Sequence, residues 1–223
     1  MKYAVLSDAH GNKLYFDQCI KKIKTLSVQK LIYLGDIFGY MPDGIHVLNS
    51  LRNRGAYILK GNHEAMLLGE LDLDLEKDKI YGLSKQKKLI DPNSLSFLSG
   101  LNDHLIIETA NGKILFVHGA PFDALNGYLY EDNKIYSWNG EIYSFIFMGH
   151  THRPYIKKSG QTTFVNVGSC GLPRDKGLRP SFCVFDDEKM EAEIIRVSIS
   201  PEILESEYYS KISSTVMNVL RRN

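Results

Sequence analysis

Apolar positions in this chain come in short runs that end abruptly in polar residues. Lys2 to Ser7 is one such run and reads as a buried strand. Phe16, Cys19, Ile20, Ile23 and Leu26 then recur at helical spacing, with Lys21, Lys22 and Lys24 on the other face. Leu31 to Leu34 predicts a second strand, Ile45 to Leu51 a helix, and Ala56 to Leu59 a third strand. This alternation implies parallel βαβ units. From Glu64 to about Leu101 the pattern is helical, interrupted by an acidic stretch, Gly69 to Lys79, that reads as a surface loop.

Beyond Leu101 the pattern turns to antiparallel β. Leu105–Thr109 and Lys113–Val117 flank Asn111-Gly112, a strong hairpin signal. Phe145–Met148 reads as a buried strand. Tyr155–Lys158 with Thr162–Val167, and Phe182–Phe185 with Glu191–Ser198, read as further hairpins. A last helix is predicted from Pro201, with Leu204, Tyr208, Ile212, Val216 and Leu220 as its stripe. No repeat or linker is evident, so residues 1–223 are expected to form one α/β domain with two sheets between helices.

Composition narrows the class of protein. With 27 Lys+Arg against 26 Asp+Glu, the net charge is +1, so there is no strong nucleic-acid signal. No stretch approaches the roughly 18 apolar residues that span a bilayer. The first apolar run meets Asp8 too soon for a signal peptide. Cys19, Cys170 and Cys183 form no CxxC pair, and a reducing cytoplasm is expected.

Candidate chemistry sits where predicted strands end. Asp8 and His10 follow the first strand, Asp36 the second, and Asn62 and His63 the third. His118 follows the strand closing the first hairpin, and His150 and His152 follow Phe145–Met148. Five of the seven histidines thus lie just past a strand end, where open α/β sheets gather their sites. His150-Thr151-His152 sets two imidazoles on one side of an extended segment. Imidazole, carboxylate and amide donors without thiolate suit a borderline divalent cation such as Mn, Fe or Zn.

In order, the chain carries Asp8-Ala9-His10, Gly35-Asp36-Ile37-Phe38-Gly39, Gly61-Asn62-His63-Glu64, Val117-His118-Gly119 and Gly149-His150-Thr151-His152. This set resembles the calcineurin-like metallophosphoesterase superfamily, in particular its small single-domain phosphodiesterase-like branch. The resemblance implies a four-layer αββα sandwich with two mixed β-sheets. It also implies a pair of divalent ions, manganese first among Mn, Fe, Zn, Ni or Co. Asp8, His10, Asp36 and His152 would hold one ion, and Asp36, Asn62, His118 and His150 the other, with Asp36 bridging. The implied reaction is in-line attack of a metal-bridging hydroxide on a small phosphodiester or phosphomonoester. His63 would face the substrate as the acid for the leaving group. A phosphomonoesterase on a nucleotide or small phosphometabolite, or a non-catalytic scaffold on the same fold, is the alternative.

Several residues carry two readings. The protein serine/threonine phosphatases have an Arg shortly after the bridging Asp, where this chain has Tyr40. Glu64 orients His63 or simply opens the following helix. Asn12 caps a helix or touches substrate. Arg174 binds phosphate or forms a surface ion pair. Gly69–Lys79 is a lid or a passive loop. Lys85–Lys88 reads as a solvated helix face, and His46 and His104 as structural. Oligomeric state has no readable signal.

Overall fold

The computed structural model describes residues 1–133 and 142–223. Its first sheet takes strands from both ends of the chain. β1 (Lys2–Leu6), β2 (Lys30–Tyr33) and β3 (Tyr57–Ile58) run parallel. On the far side of β1 lie β9 (Ser181–Asp186) and β10 (Glu191–Arg196), both antiparallel to their neighbours, giving the order β10-β9-β1-β2-β3. The parallel half follows from the connections: α1 (Lys13–Ile23) and α2 (Gly44–Arg52) are the crossovers that parallel strands require.

The second sheet has the order β4-β5-β6-β8-β7. Its edges are the expected hairpins, β4 (His104–Thr109) with β5 (Gly112–Val117), and β7 (Tyr155–Ser159) with β8 (Thr162–Asn166). Its centre is not antiparallel, as the hairpin pattern alone suggested. β6 (Phe145–Met148) inserts between β5 and β8 and is parallel to both. β6 is apolar and buried throughout, as a central parallel strand covered on both faces must be.

The core lies in layers. Between the sheets, Val5, Ile32, Leu34, Phe116, Phe147, Val165 and Phe185 interlock. The outer face of the first sheet buries Leu6 and Tyr33 against Phe16 and Ile20 of α1, Val47 and Leu51 of α2, and residues of the helices that follow β3. Those are α3 (Asn62–Leu68), α4 (Leu75–Tyr81), α5 (Leu83–Lys87) and α6 (Pro92–Ser99). The outer face of the second sheet packs Val117, Ile146 and Met148 against Ala120, Leu129 and Tyr143.

Two expectations need correction. The back half of the Gly69–Lys79 stretch is α4, which has no buried residue and is held by its ends. Asp74 caps it by accepting from Lys77 N, and Gly82 closes it in the left-handed conformation. The terminal stripe is not one helix but a 3-10 turn (Pro201–Glu205), α7 (Glu207–Ser210) and α8 (Ser214–Leu220). Ser206 (φ −68°, ψ 153°) and Ser213 (φ −58°, ψ 145°) take extended backbone and break it. The pieces still bury Leu204, Tyr209, Val216, Met217 and Leu220 against Tyr15, Met41 and Leu172. No helix among the described residues is long and apolar enough to cross a membrane.

Candidate metal centre

The carboxyl ends of β1, β2, β3, β5 and β6 open toward one point, and their loops are tied together by backbone. Asp8 N donates to Gly35 O (3.0 Å), His10 N to Asp36 O (3.0 Å) and Gly11 N to Ile37 O (2.8 Å). Tyr33 adds a buried hydroxyl bridge, accepting from Ala9 N (2.8 Å) and reaching Asp36 O (3.2 Å). On the other side His150 N donates to Asp8 Oδ2 (3.0 Å). Asp8 and Asp36 are therefore fixed in place before any ligand arrives.

The backbone there is strained in one consistent way. Asp8 (φ 59°), His10 (49°), Asp36 (60°), His150 (60°) and His152 (58°) all lie in the left-handed region, as does Tyr40 (60°). Met190 is the one other non-glycine residue there among the described residues. Such conformations cost on the order of 1 kcal/mol or more each and persist where packing over-determines them. Neighbouring glycines make room. A Cβ on Gly61 would sit 2.3 Å from Asp36 Oδ1, and one on Gly39 2.2 Å from His63 Nδ1.

Two groups of donors result. Asp8, His10 and His152 form one, and Asp36, His118 and His150 the other. In the first, Asp8 Oδ1 lies 3.2 Å from His152 Nε2 and 3.7 Å from His10 Nε2. In the second, His118 Nε2 lies 2.9 Å from Asn62 Oδ1, 3.1 Å from His150 Nδ1 and 3.4 Å from Asp36 Oδ2. Asp36 Oδ2 is also 3.6 Å from His10 Nε2, so this carboxylate touches both groups. All seven residues proposed from the sequence as ligands converge. His63 stands beside them with Nε2 3.9 Å from Asp36 Oδ2, and in a third grouping with His10 and Asp36.

The hydrogen-bonding of this cluster is unfinished without a cation. His10 Nδ1 faces Phe38 O (3.1 Å) and His152 Nδ1 faces Leu172 O (2.6 Å). A carbonyl accepts, so each Nδ1 carries a proton and each Nε2 is turned to the cluster. Those two Nε2 atoms are 3.1 Å apart, with His152 Nε2 also 3.2 Å from Asp8 Oδ1. Asp8 Oδ1 is buried without a hydrogen-bond partner. Such an arrangement of borderline N and O donors fits divalent metal.

Electrostatics agree. Burial pushes the Asp36 carboxyl up, but the charges of His118 and His63 outweigh it and hold the group low. Asp8 is likewise held low against burial, chiefly by His152. Burial pushes His150 down to about 3 and His10 well below its usual value. For His118, burial is overcome by Asp36, which raises it to about 9. Buried carboxylates thus keep their charge, with the His118 imidazolium beside Asp36.

A protein-family model described as the calcineurin-like phosphoesterase superfamily domain matches residues 1–190. The chain belongs to that superfamily. It is 29% identical over 214 residues to an uncharacterized protein of Methanocaldococcus jannaschii, covering 87% of this chain and 86% of that one. Two solved structures share the fold. A hypothetical protein from Pyrococcus horikoshii superposes with TM-score 0.81 at 18% identity, over 98% of this chain and 97% of that one. A metallophosphoesterase from Sphaerobacter thermophilus superposes with TM-score 0.77 at 20% identity, over 99% and 98%.

The phosphoesterase superfamily pattern left several residues open, and the geometry resolves them. Asn12 caps α1 by accepting from Tyr15 N (3.3 Å), and its amide donates to Gly171 O (2.6 Å). His46 pairs with Asp17 (2.9 Å) and His104 with its neighbour Asp103 (2.7 Å). Lys85, Lys87 and Lys88 are exposed. Among the described residues Arg174 forms no surface ion pair; it lines the recess over the cluster with His10, Asp36, His63 and His152.

Glu64 does more than open α3, and it makes no hydrogen bond to His63. It is fully buried and accepts from Gly61 N (3.0 Å), the backbone N–H at the start of α3. It also accepts from Asp36 N (2.7 Å), Ile37 N (2.8 Å) and Phe38 N (3.3 Å). Burial and the Asp36 charge push it up to about 7, while the N–H donors pull the other way. Glu64→Ala strands these amides, and a loss of ~3 kcal/mol or more in urea unfolding of the metal-free protein is expected. An unchanged midpoint would mean that the tether carries no strain-bearing load.

Three tyrosines went unmarked as site residues in the sequence. Tyr40 stacks on His63 (5.3 Å, 27°) and meets His10 edge-on (4.7 Å). Tyr81 packs against His63 (4.7 Å), and Tyr128 against His150 (4.1 Å). Only Tyr40 lies near a motif; Tyr81 and Tyr128 are isolated in sequence and gave no signal. Between the last two, a groove of about 430 Å³ runs from Asn62 and His150 out to Leu71, Asp72 and Asp74. The Gly69–Lys79 stretch therefore forms a wall of the approach to the site.

Proposed function

We propose that this protein is a two-metal phosphoesterase that hydrolyses a small phosphodiester or phosphomonoester. Asp8, His10, Asp36 and His152 would hold one ion and Asp36, Asn62, His118 and His150 the other. The observation that carries this reading is the convergence of His10 Nε2 and His152 Nε2, 3.1 Å apart, on the buried carboxylates of Asp8 and Asp36. Manganese is the first choice of metal, since the donors are hard to borderline and include no thiolate.

Bound divalent ions supply an acidified water at neutral pH and neutralise charge on the phosphoryl oxygens. The chain's own part is positioning. Asp36 shares itself between the two groups and accepts from His63 N through Oδ1 (2.9 Å). His63 is clamped among Tyr40, Tyr81 and His10, with its imidazole toward the cluster, and would protonate the departing oxygen. The groove beside Tyr81 and Tyr128 offers space for the second ester group of a diester, which favours diesters over monoesters. Three free, buried cysteines fit a reducing, cytoplasmic setting.

The test compares bis-p-nitrophenyl phosphate with p-nitrophenyl phosphate after manganese loading. Metal-dependent hydrolysis, faster on the diester and abolished by chelation, is expected. No turnover of either ester with metal bound would leave a non-catalytic scaffold as the better reading.

A further inference from the structure

Among the described residues Arg174 makes no ion pair, and the carboxylate charge acting on it is that of the cluster's own Asp8. It lines the recess above the cluster with His10, Asp36, His63, His150 and His152. The carboxylate next to it in sequence, Asp175, is already engaged by Arg196 through both Nη atoms. Of the five donors a guanidinium carries, one is used among the described residues, Nη2 to Tyr40 Oη at 3.3 Å. A guanidinium fixed for structure is normally paired with a carboxylate, since leaving its charge uncompensated is costly.

Its placement is over-determined. Arg174 N donates to His152 O (3.2 Å), and Arg222 Nη1 donates to Arg174 O (3.0 Å). Two residues earlier, Leu172 O receives His152 Nδ1, and Leu172 N is held by Ser169 Oγ (2.6 Å), which itself donates to Asp8 O (2.7 Å). The arginine backbone is thus registered directly against His152 and, through Leu172 and Ser169, against Asp8. Its side-chain partner is equally constrained. Tyr40 stands in left-handed backbone (φ 60°), secured by Tyr40 N to Tyr81 O (2.7 Å). Strain of that kind is kept where it serves a site.

We infer that Arg174, steered by the Tyr40 hydroxyl, is the clamp for the phosphate group of the substrate and of the product. Its free N–H pair matches the two outward oxygens of a phosphoryl group resting on the cluster, in the bidentate geometry that guanidinium favours. Lys at this position would supply charge without the fork. The inference rests on the phosphoesterase reading and adds the residue that grips the anion.

The test measures binding of inorganic phosphate by calorimetry on manganese-loaded protein, apart from turnover. Arg174→Ala is expected to weaken phosphate by about 10- to 100-fold with metal content unchanged. Arg174→Lys should recover only part. Added guanidinium ion should restore phosphate binding to the alanine variant, which a merely structural arginine does not allow. Tyr40→Phe, which keeps the ring on His63, should weaken phosphate several-fold. Should Arg174→Ala be poorly folded, Arg174→Met with guanidinium rescue serves the same purpose. Wild-type phosphate affinity in the neutral variants, or loss of metal together with phosphate, overturns the clamp. Absence of both phosphate binding and ester hydrolysis in the metal-loaded wild type would instead overturn the phosphoesterase reading beneath it.

Discussion

Asp36→Asn should abolish metal-dependent hydrolysis, with a loss of ~10³-fold or more, while leaving the fold intact. The substitution is chosen to be quiet elsewhere. Asn tolerates left-handed backbone better than other residues with a Cβ, which suits φ 60°. Its amide oxygen can still accept from His63 N, as Asp36 Oδ1 does at 2.9 Å. What disappears is the negative charge that lies 3.4 Å from His118 Nε2 and 3.6 Å from His10 Nε2. Metal stoichiometry, read by elemental analysis, should therefore drop with activity. The metal-free variant should be somewhat less stable than wild type at neutral pH, because a carboxyl held low in the folded protein stabilises it when ionised, and Asn leaves His118 without its partner. Retained turnover with two ions bound would end the shared role of Asp36.

The residues of this cluster were readable in the sequence for a physical reason. Parallel strands are apolar throughout and stop at a polar residue, so β1, β2 and β6 announce their carboxyl ends. In this fold those ends are where the candidate ligands converge. What the sequence hid was set by contacts distant along the chain. The entry of β6 between β5 and β8 leaves no local mark, because each edge hairpin reads the same with or without a strand beside it. α4 escaped because it buries nothing; its signals were Asp74 and Gly82 at its ends, not a stripe. The broken terminal helix escaped for the opposite reason, since its stripe is real but Ser206 and Ser213 interrupt the backbone under it.

The tyrosines and Glu64 show a second limit. Glu64 belongs to a recognised block, yet three of its four amide contacts reach across to the Asp36 loop, 28 residues away in sequence for Asp36 N. Tyr128 reaches His150 from a loop with no periodicity. Ligand identity is thus local information, whereas the shell that orients the ligands is tertiary. That division explains why the chemistry of the centre was legible and its walls were not.

His63→Asn should separate metal binding from proton delivery. The variant should keep both ions, since none of the contacts among Asp8, His10, Asn62, His118, His150 and His152 runs through the His63 ring. Turnover of esters with poor, basic leaving groups should fall by about 10²- to 10⁴-fold, the range general acids contribute. Activated nitrophenyl esters, whose leaving groups need no proton, should lose far less. Burial holds His63 below its ordinary pKa, against the attraction of Asp36. An acid is active only below its pKa, so kcat/KM on poor leaving groups should decline as pH rises through that lowered value. The decline should vanish in His63→Asn, and the slope of rate against leaving-group basicity should steepen. An identical slope in wild type and variant would mean that the proton comes from elsewhere, and Tyr40, stacked on His63, would then be the next group to substitute.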